Sequence, residues 1–147
     1  MVAIPYHLIN RTSLKFVHTY EWISSEDEKF SVKIQQGTYS KDLALSELLP
    51  SGNYTIDTIV IRTVSQSNVM SNMSEAERKI EPPFELHISP GSIMMVPVVY
   101  EFEQYIADHD NIIVKPNVHN IEEIEEEFYI DKLKNKENFS DWKIEMI

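Results

Sequence analysis

Asp108, His109 and Asp110, with His119 further on, put nitrogen and oxygen donors of the kind that hold zinc or another divalent ion into one short stretch. The spacing works against a metal centre. Neighbouring side chains on an extended chain point to opposite faces, and no helical or strand period ties His119 to His109. The group reads as a solvated turn, and a small metal-dependent hydrolase using the Asp108–His119 region is the enzymatic alternative. Glu101 and Glu103 lie on one face of an expected strand, where paired carboxylates act as acid and base if burial drives their pKa values apart. At i and i+2 they also make an ordinary charged sheet surface. Glu122, Glu123, Glu125, Glu126 and Glu127 offer oxygen ligands for calcium. Without a loop of alternating donors and a turn glycine, they read as a solvated helix face.

Other catalytic frameworks are missing. The absence of cysteine excludes disulfides, thiolate metal sites and a cysteine nucleophile. No Gly-x-Ser-x-Gly elbow occurs, and the glycines, Gly37, Gly52 and Gly91, cannot build a phosphate-cradling loop. The sequence therefore predicts a noncatalytic chain with no catalytic residue, no metal and no cofactor, and directs attention to binding surfaces. Phe16, His18, Tyr20 and Trp22 alternate along one strand face. Such a stripe gains most by burial, and Trp22, near the hairpin end, is the member expected to reach a ligand. Glu122, Glu125 and Glu126 form the second candidate, an acidic helix face suited to a basic partner.

The 147 residues carry 13 basic and 24 acidic side chains, a net charge of −11. The charge is uneven: residues 1–74 hold 6 basic and 7 acidic groups, residues 75–147 hold 7 and 17. No basic stripe exists to displace counterions from phosphates, which argues against nucleic acid. An anionic membrane surface would repel the C-terminal half. No apolar run approaches the roughly 20 residues that span a bilayer, so no transmembrane segment is expected. Hydrophobic content of 42% suffices for the core of a single domain over 1–147. Met1-Val2-Ala3 lacks a basic n-region and an apolar h-region, yet a strand pattern begins almost at once, as in a mature domain whose signal or lipid-anchor segment has been removed. The expectation is an extracytoplasmic protein of the periplasm or outer surface, with a lipid anchor on the removed segment. A cytosolic protein-interaction subunit is the alternative.

Several elements must position these residues. Leu14 to Ile23 alternates as a strand, and Phe30, Val32 and Ile34 form a half-buried strand that pairs with it as a hairpin. Tyr54 to Val64 is the longest β-branched stretch and reads as a central strand. Residues 65–74 read as a loop, and Ser74-Glu75-Ala76-Glu77 as a weak helix start ended by Pro82-Pro83. Phe84, Leu86 and Ile88 give a one-faced strand. Ile93 to Phe102 suits a buried strand in which Pro97 demands an edge or a bulge. Asn120 with Glu123 makes a capping box for a helix near 120–136. Ile121, Ile124 and Phe128 supply its apolar stripe, with Phe139 and Trp142 anchoring the tail. Glutamates precede Lys132, Lys134 and Lys136, the order the helix dipole prefers.

Two turn-and-strand signatures complete the pattern, Leu48-Leu49-Pro50-Ser51-Gly52-Asn53-Tyr54-Thr55-Ile56 and Phe84-Glu85-Leu86-His87-Ile88-Ser89-Pro90-Gly91-Ser92-Ile93. Proline followed by glycine fixes a tight reversal between strands. Residues 43–102 thereby resemble prealbumin-like and carboxypeptidase-regulatory-type β-sandwich modules of bacterial surface proteins and lipoproteins. The resemblance implies a mainly β fold, an antiparallel sandwich over about 6–115, with a C-terminal helix and tail over about 120–147 outside the family pattern. It also implies a noncatalytic binding or accessory role, and it transfers no active-site residue.

Overall fold

The structure is a computed structural model and describes residues 1–13, 18–27, 30–34, 41–64, 73–107, 111–136 and 138–147. The expectations placed on Leu14, Phe16, the loop over 65–72 and the Asp108–Asp110 turn lie outside the described residues. The chain is mainly β with one helix, as expected. In order come β1 (Val2–Asn10), β2 (His18–Ile23), β3 (Ser31–Lys33), β4 (Lys41–Ser46), β5 (Gly52–Val64), β6 (Met73–Ile88), β7 (Ser92–Met95), β8 (Val98–Ile106), β9 (Ile112–Asn120), α1 (Glu123–Lys134) and β10 (Lys143–Met146).

The strands form one curled mixed sheet, a half-barrel, rather than two antiparallel layers. Its order is β10-β7-β1-β4-β3-β2-β5-β6, with β8 also along β1 and β9 on the far edge of β8. The hairpin expected of β2 with β3 is present, and β5 with β6 and β8 with β9 also pair antiparallel. Local turns carry no signal for the pairing that departs from a sandwich. β1 takes β7 and β8 as parallel neighbours, and a parallel pair needs a long crossover. Here the crossover is the whole excursion through β2 to β6, returning at the Ser89–Ser92 reversal, where Gly91 adopts φ +70°.

β1 is buried on both faces. Val2, Ile4, Tyr6 and Leu8 point into the curl among Tyr20, Trp22, Val32, Ile56, Leu86, Tyr100 and Phe102. Met1 and Ala3 point outward, where Leu43, Ile93, Met95 and Val99 meet Tyr129 and Leu133 of α1. Of the residues expected in the core, Phe30, Val32, Ile56, Leu86 and Ile88 are buried. Ile34, Tyr54 and Phe84 pack partly buried against them.

The Pro97 bulge is present. Ala3 faces Met95 while Tyr6 faces Tyr100, so two extra residues leave the ladder around Val96 and Pro97 and let β7 and β8 share one edge of β1. The segment from Glu75 to Ile80 is strand, not the start of a helix. It pairs with β5 through Thr58↔Lys79 and Ile61↔Ala76, and the ladder resumes at Ile56↔Phe84 beyond a register shift that carries Pro82 and Pro83. Sheet pairing outweighs the helical preference of Glu-Ala-Glu-Arg-Lys.

Two measurements check this core. Phe102 is wholly buried with its ring centroid 3.8 Å from that of Tyr20, and Phe102→Ala is expected to cost about 3–5 kcal/mol in chemical denaturation. His18 is buried on the inner face, and burial lowers its pKa, partly offset by Gln104. The unfolded chain then binds a proton at higher pH than the folded one. Stability should fall as pH drops below about 6.5, and His18→Phe should flatten that fall.

Candidate functional site

α1 begins later than its expected cap. Asn120 remains in β9 opposite Val98, and the Ile121 N–H donates to the carbonyl of Pro97 at 3.0 Å. Glu122 is the cap, its backbone N–H donating to the Glu125 carboxylate at 3.1 Å. Glu123, Glu125 and Glu126 occupy the first turn and Lys132 and Lys134 the last, in accord with the macrodipole.

The packed face differs from the expected stripe. Tyr129 and Leu133, at i and i+4, are buried, whereas Ile124 is 80% exposed and Phe128 41% exposed. Ile121, Phe139 and Trp142 do pack partly buried against the outer core. Polar anchors set the helix rotation. The Tyr129 hydroxyl donates to the carbonyl of Tyr6 at 3.2 Å in a buried position, and Lys132 Nζ donates to the carbonyl of Lys41 at 2.8 Å. Asp42 Oδ1 lies 3.8 Å from Lys132 Nζ and 3.7 Å from Lys136 Nζ. Tyrosine offers a ring to bury and a hydroxyl to satisfy, which neither Ile124 nor Phe128 can match. Burial, with the carboxylates of Glu125, Asp42 and Glu101 nearby, pushes the Tyr129 phenol pKa up.

Beneath the first turn of α1, the outer faces of β1, β8 and β9 bring together His7, Glu101 and His119. His119 Nε2 lies 3.0 and 3.1 Å from the two carboxylate oxygens of Glu125. Glu101 Oε1 sits 3.9 Å from His119 Nδ1 and 3.7 Å from His7 Nδ1. Burial and the charge of Lys41 lower the His7 pKa against the pull of Glu101 and Glu125. For Glu125, burial raises the pKa, but hydrogen bonds from His119 and the Glu122 N–H, with the charges of His119 and Lys41, hold it below its ordinary value. The cluster ties the helix N-terminus to the sheet. Glu103 pairs instead with Arg11 at 3.1 Å, so the two strand carboxylates part company. Among the described residues no three histidine, aspartate or glutamate side chains are arranged to hold a metal ion.

The sequence candidates fall differently. Trp22 is wholly buried, its ring centroid 5.2 Å from Tyr100 and 5.9 Å from Phe102, and offers no platform to a ligand. The inward parity of His18, Tyr20 and Trp22 carries it into the curl. Glu122 is exposed, while Glu125 and Glu126 are half-buried. The outermost acids of α1 are Glu123, Glu127 and Asp131, which form a row along one side of Ile124 and Phe128 on the helix surface. A hollow of ≈ 610 Å³ beside β3 is lined by Phe30, Lys33, Leu45, Leu49, Pro50 and Tyr54 among others. Two of its polar groups are engaged internally, Lys33 with Glu21 at 3.3 Å and the Tyr54 hydroxyl with the Pro50 carbonyl at 2.7 Å.

No known family, curated protein or solved structure matches this chain. Sequence reasoning missed Tyr129, His119 with Glu125, and the outward turn of Ile124. The available signal was the second i, i+4 pair, Tyr129 and Leu133, which competes with Ile124 and Phe128 for the packed face.

The cluster is testable by hydrogen exchange. Glu125→Gln should lower protection of α1 amides by an amount equivalent to about 0.2–1 kcal/mol, the scale of a partly exposed ion pair. Because the folded Glu125 pKa is depressed, its contribution is present above the unfolded carboxyl value and lost as pH falls through the folded one. Acidification below about pH 4.5 should therefore loosen α1 more in the parent protein than in Glu125→Gln.

Proposed function

We propose that this chain is a noncatalytic binding module, a curled β scaffold that presents the outer face of α1 to a protein partner. The resemblance of residues 43–102 to modules of bacterial surface proteins and lipoproteins supports an accessory role outside the cytoplasm. One observation carries the reading: Ile124 is 80% exposed, on the side of α1 opposite the buried Leu133. Single exposed apolar residues need no explanation. A pair at i and i+4 on the solvent side of an acidic helix is a different matter, because neither member is packed into the core. The titratable cluster beneath the helix is engaged in holding it, which supports a docking role over a catalytic one.

The test is site-specific crosslinking in cells of the native host, with benzoylphenylalanine placed at position 124 and, as control, at the exposed position 85 of β6. A discrete protein adduct from position 124 and none from position 85 is expected. No adduct at position 124, or the same adducts from both positions, overturns the reading. Fractionation of the same cells should find the chain outside the cytoplasm.

A further inference from the structure

We infer that the partner presents an amphipathic basic helix, an apolar stripe flanked by lysine or arginine, which lies along the Ile124–Phe128 face of α1. The inference rests on the docking reading above and names the chemistry of its occupant. Glu123, Glu127 and Asp131 follow one another at i, i+4 and i+8, so each like charge neighbours the next along the helix surface. Repulsion of this kind destabilises a helix. None of the three takes part in an ion pair among the described residues. Of the basic side chains of the next turn, Lys132 and Lys136 reach toward Asp42 on the sheet, and Lys132 Nζ also lies 5.4 Å from the ring centroid of Phe128. The solvent side of α1 therefore combines two apolar anchors one turn apart with an acidic row along one side that makes no ion pair among the described residues. A helix docked by i, i+4 anchors uses the apolar pair for affinity and the flanking charges for partner choice. The complementary surface is apolar at its centre and basic along the margin that meets this row. Residues 75–147, with 7 basic and 17 acidic groups, extend the same sign of potential around the site and would speed the encounter.

Three synthetic helical peptides probe this in solution with the intact chain: one with a leucine stripe flanked by lysine, one with glutamate in place of lysine, and one of the first composition scrambled to destroy the stripe. Fluorescence anisotropy should show saturable binding of the leucine–lysine peptide, weakened by salt and at least tenfold by Ile124→Ser with Phe128→Ser. Glu127→Lys with Asp131→Lys should weaken it comparably. The scrambled peptide should bind more weakly and be insensitive to the serine changes. Circular dichroism should be unchanged in every variant, since all four side chains are exposed. Equal binding of the leucine–lysine peptide before and after the serine changes would reduce the interaction to bulk charge and overturn the inference. So would equal binding of the glutamate peptide. An adduct at position 124 with no preference for the basic peptide would leave the docking reading standing and this one refuted.

Discussion

Met1 through Tyr6 are all buried, and a strand so placed must find apolar cover for both sets of side chains and hydrogen-bond partners along both edges. The remaining architecture answers that demand. The curl of the sheet covers the even-numbered side chains of β1, and α1 with the tail covers the odd-numbered ones. β4 fills one edge antiparallel, while β7 and β8 divide the other in parallel. The division works because Pro97 has no N–H to offer the ladder and leaves it in a bulge. The carbonyl freed there accepts the Ile121 N–H, which is where the chain turns out of β9 toward the helix. One strand's need for cover on both faces thus places α1 as well as the sheet.

The same arrangement creates a conflict within α1. Its sequence has two apolar pairs at i, i+4, Ile124 with Phe128 and Tyr129 with Leu133, and a single helix cannot bury both against one surface. The Tyr129 hydroxyl decides between them by reaching the Tyr6 carbonyl, so the packed pair is fixed to the very strand that needed covering. The losing pair is turned to solvent among acids. Departures of this kind from local consistency are where function is expected in an otherwise self-consistent fold.

Much of the sheet was legible because alternation and turn residues are local signals. Phe30, Val32, Ile56, Leu86 and Ile88 were placed in the core by period alone, and Pro97 announced its bulge. What escaped was long-range. β1 and β7 meet across about ninety residues of chain, and nothing in Val2–Asn10 marks it as the central, parallel-paired strand rather than an edge of a sandwich. The helix was legible as a helix, but its rotation depended on a backbone carbonyl in β1 that no periodicity reveals. The same holds for the binding residues: Glu125 was expected in water, and His119, carried beside it by β9, draws it back to the sheet. Trp22 was misread because the face of β2 turned inward is set by β8, through Tyr100 and Phe102, and not by its own neighbours.

The edges of the sheet bear on how such a module meets a partner. β6 pairs only with β5 and is sixteen residues long, the kind of edge that invites strand addition. It is studded with exposed Glu75, Glu77, Arg78, Lys79, Glu81 and Glu85, and Pro82 and Pro83 interrupt its donors. β9, on the opposite flank, carries Lys115 and Pro116 at its middle. These two edges thus bear the charges and prolines that discourage another strand from joining. Recruitment through main-chain hydrogen bonds is discouraged at β6 and β9, whereas side-chain docking on α1 meets no such guard. The polar burden of the C-terminal half then serves two ends: it discourages strand addition at the β edges, and it leaves an acidic row beside the one apolar pair that α1 turns toward solvent.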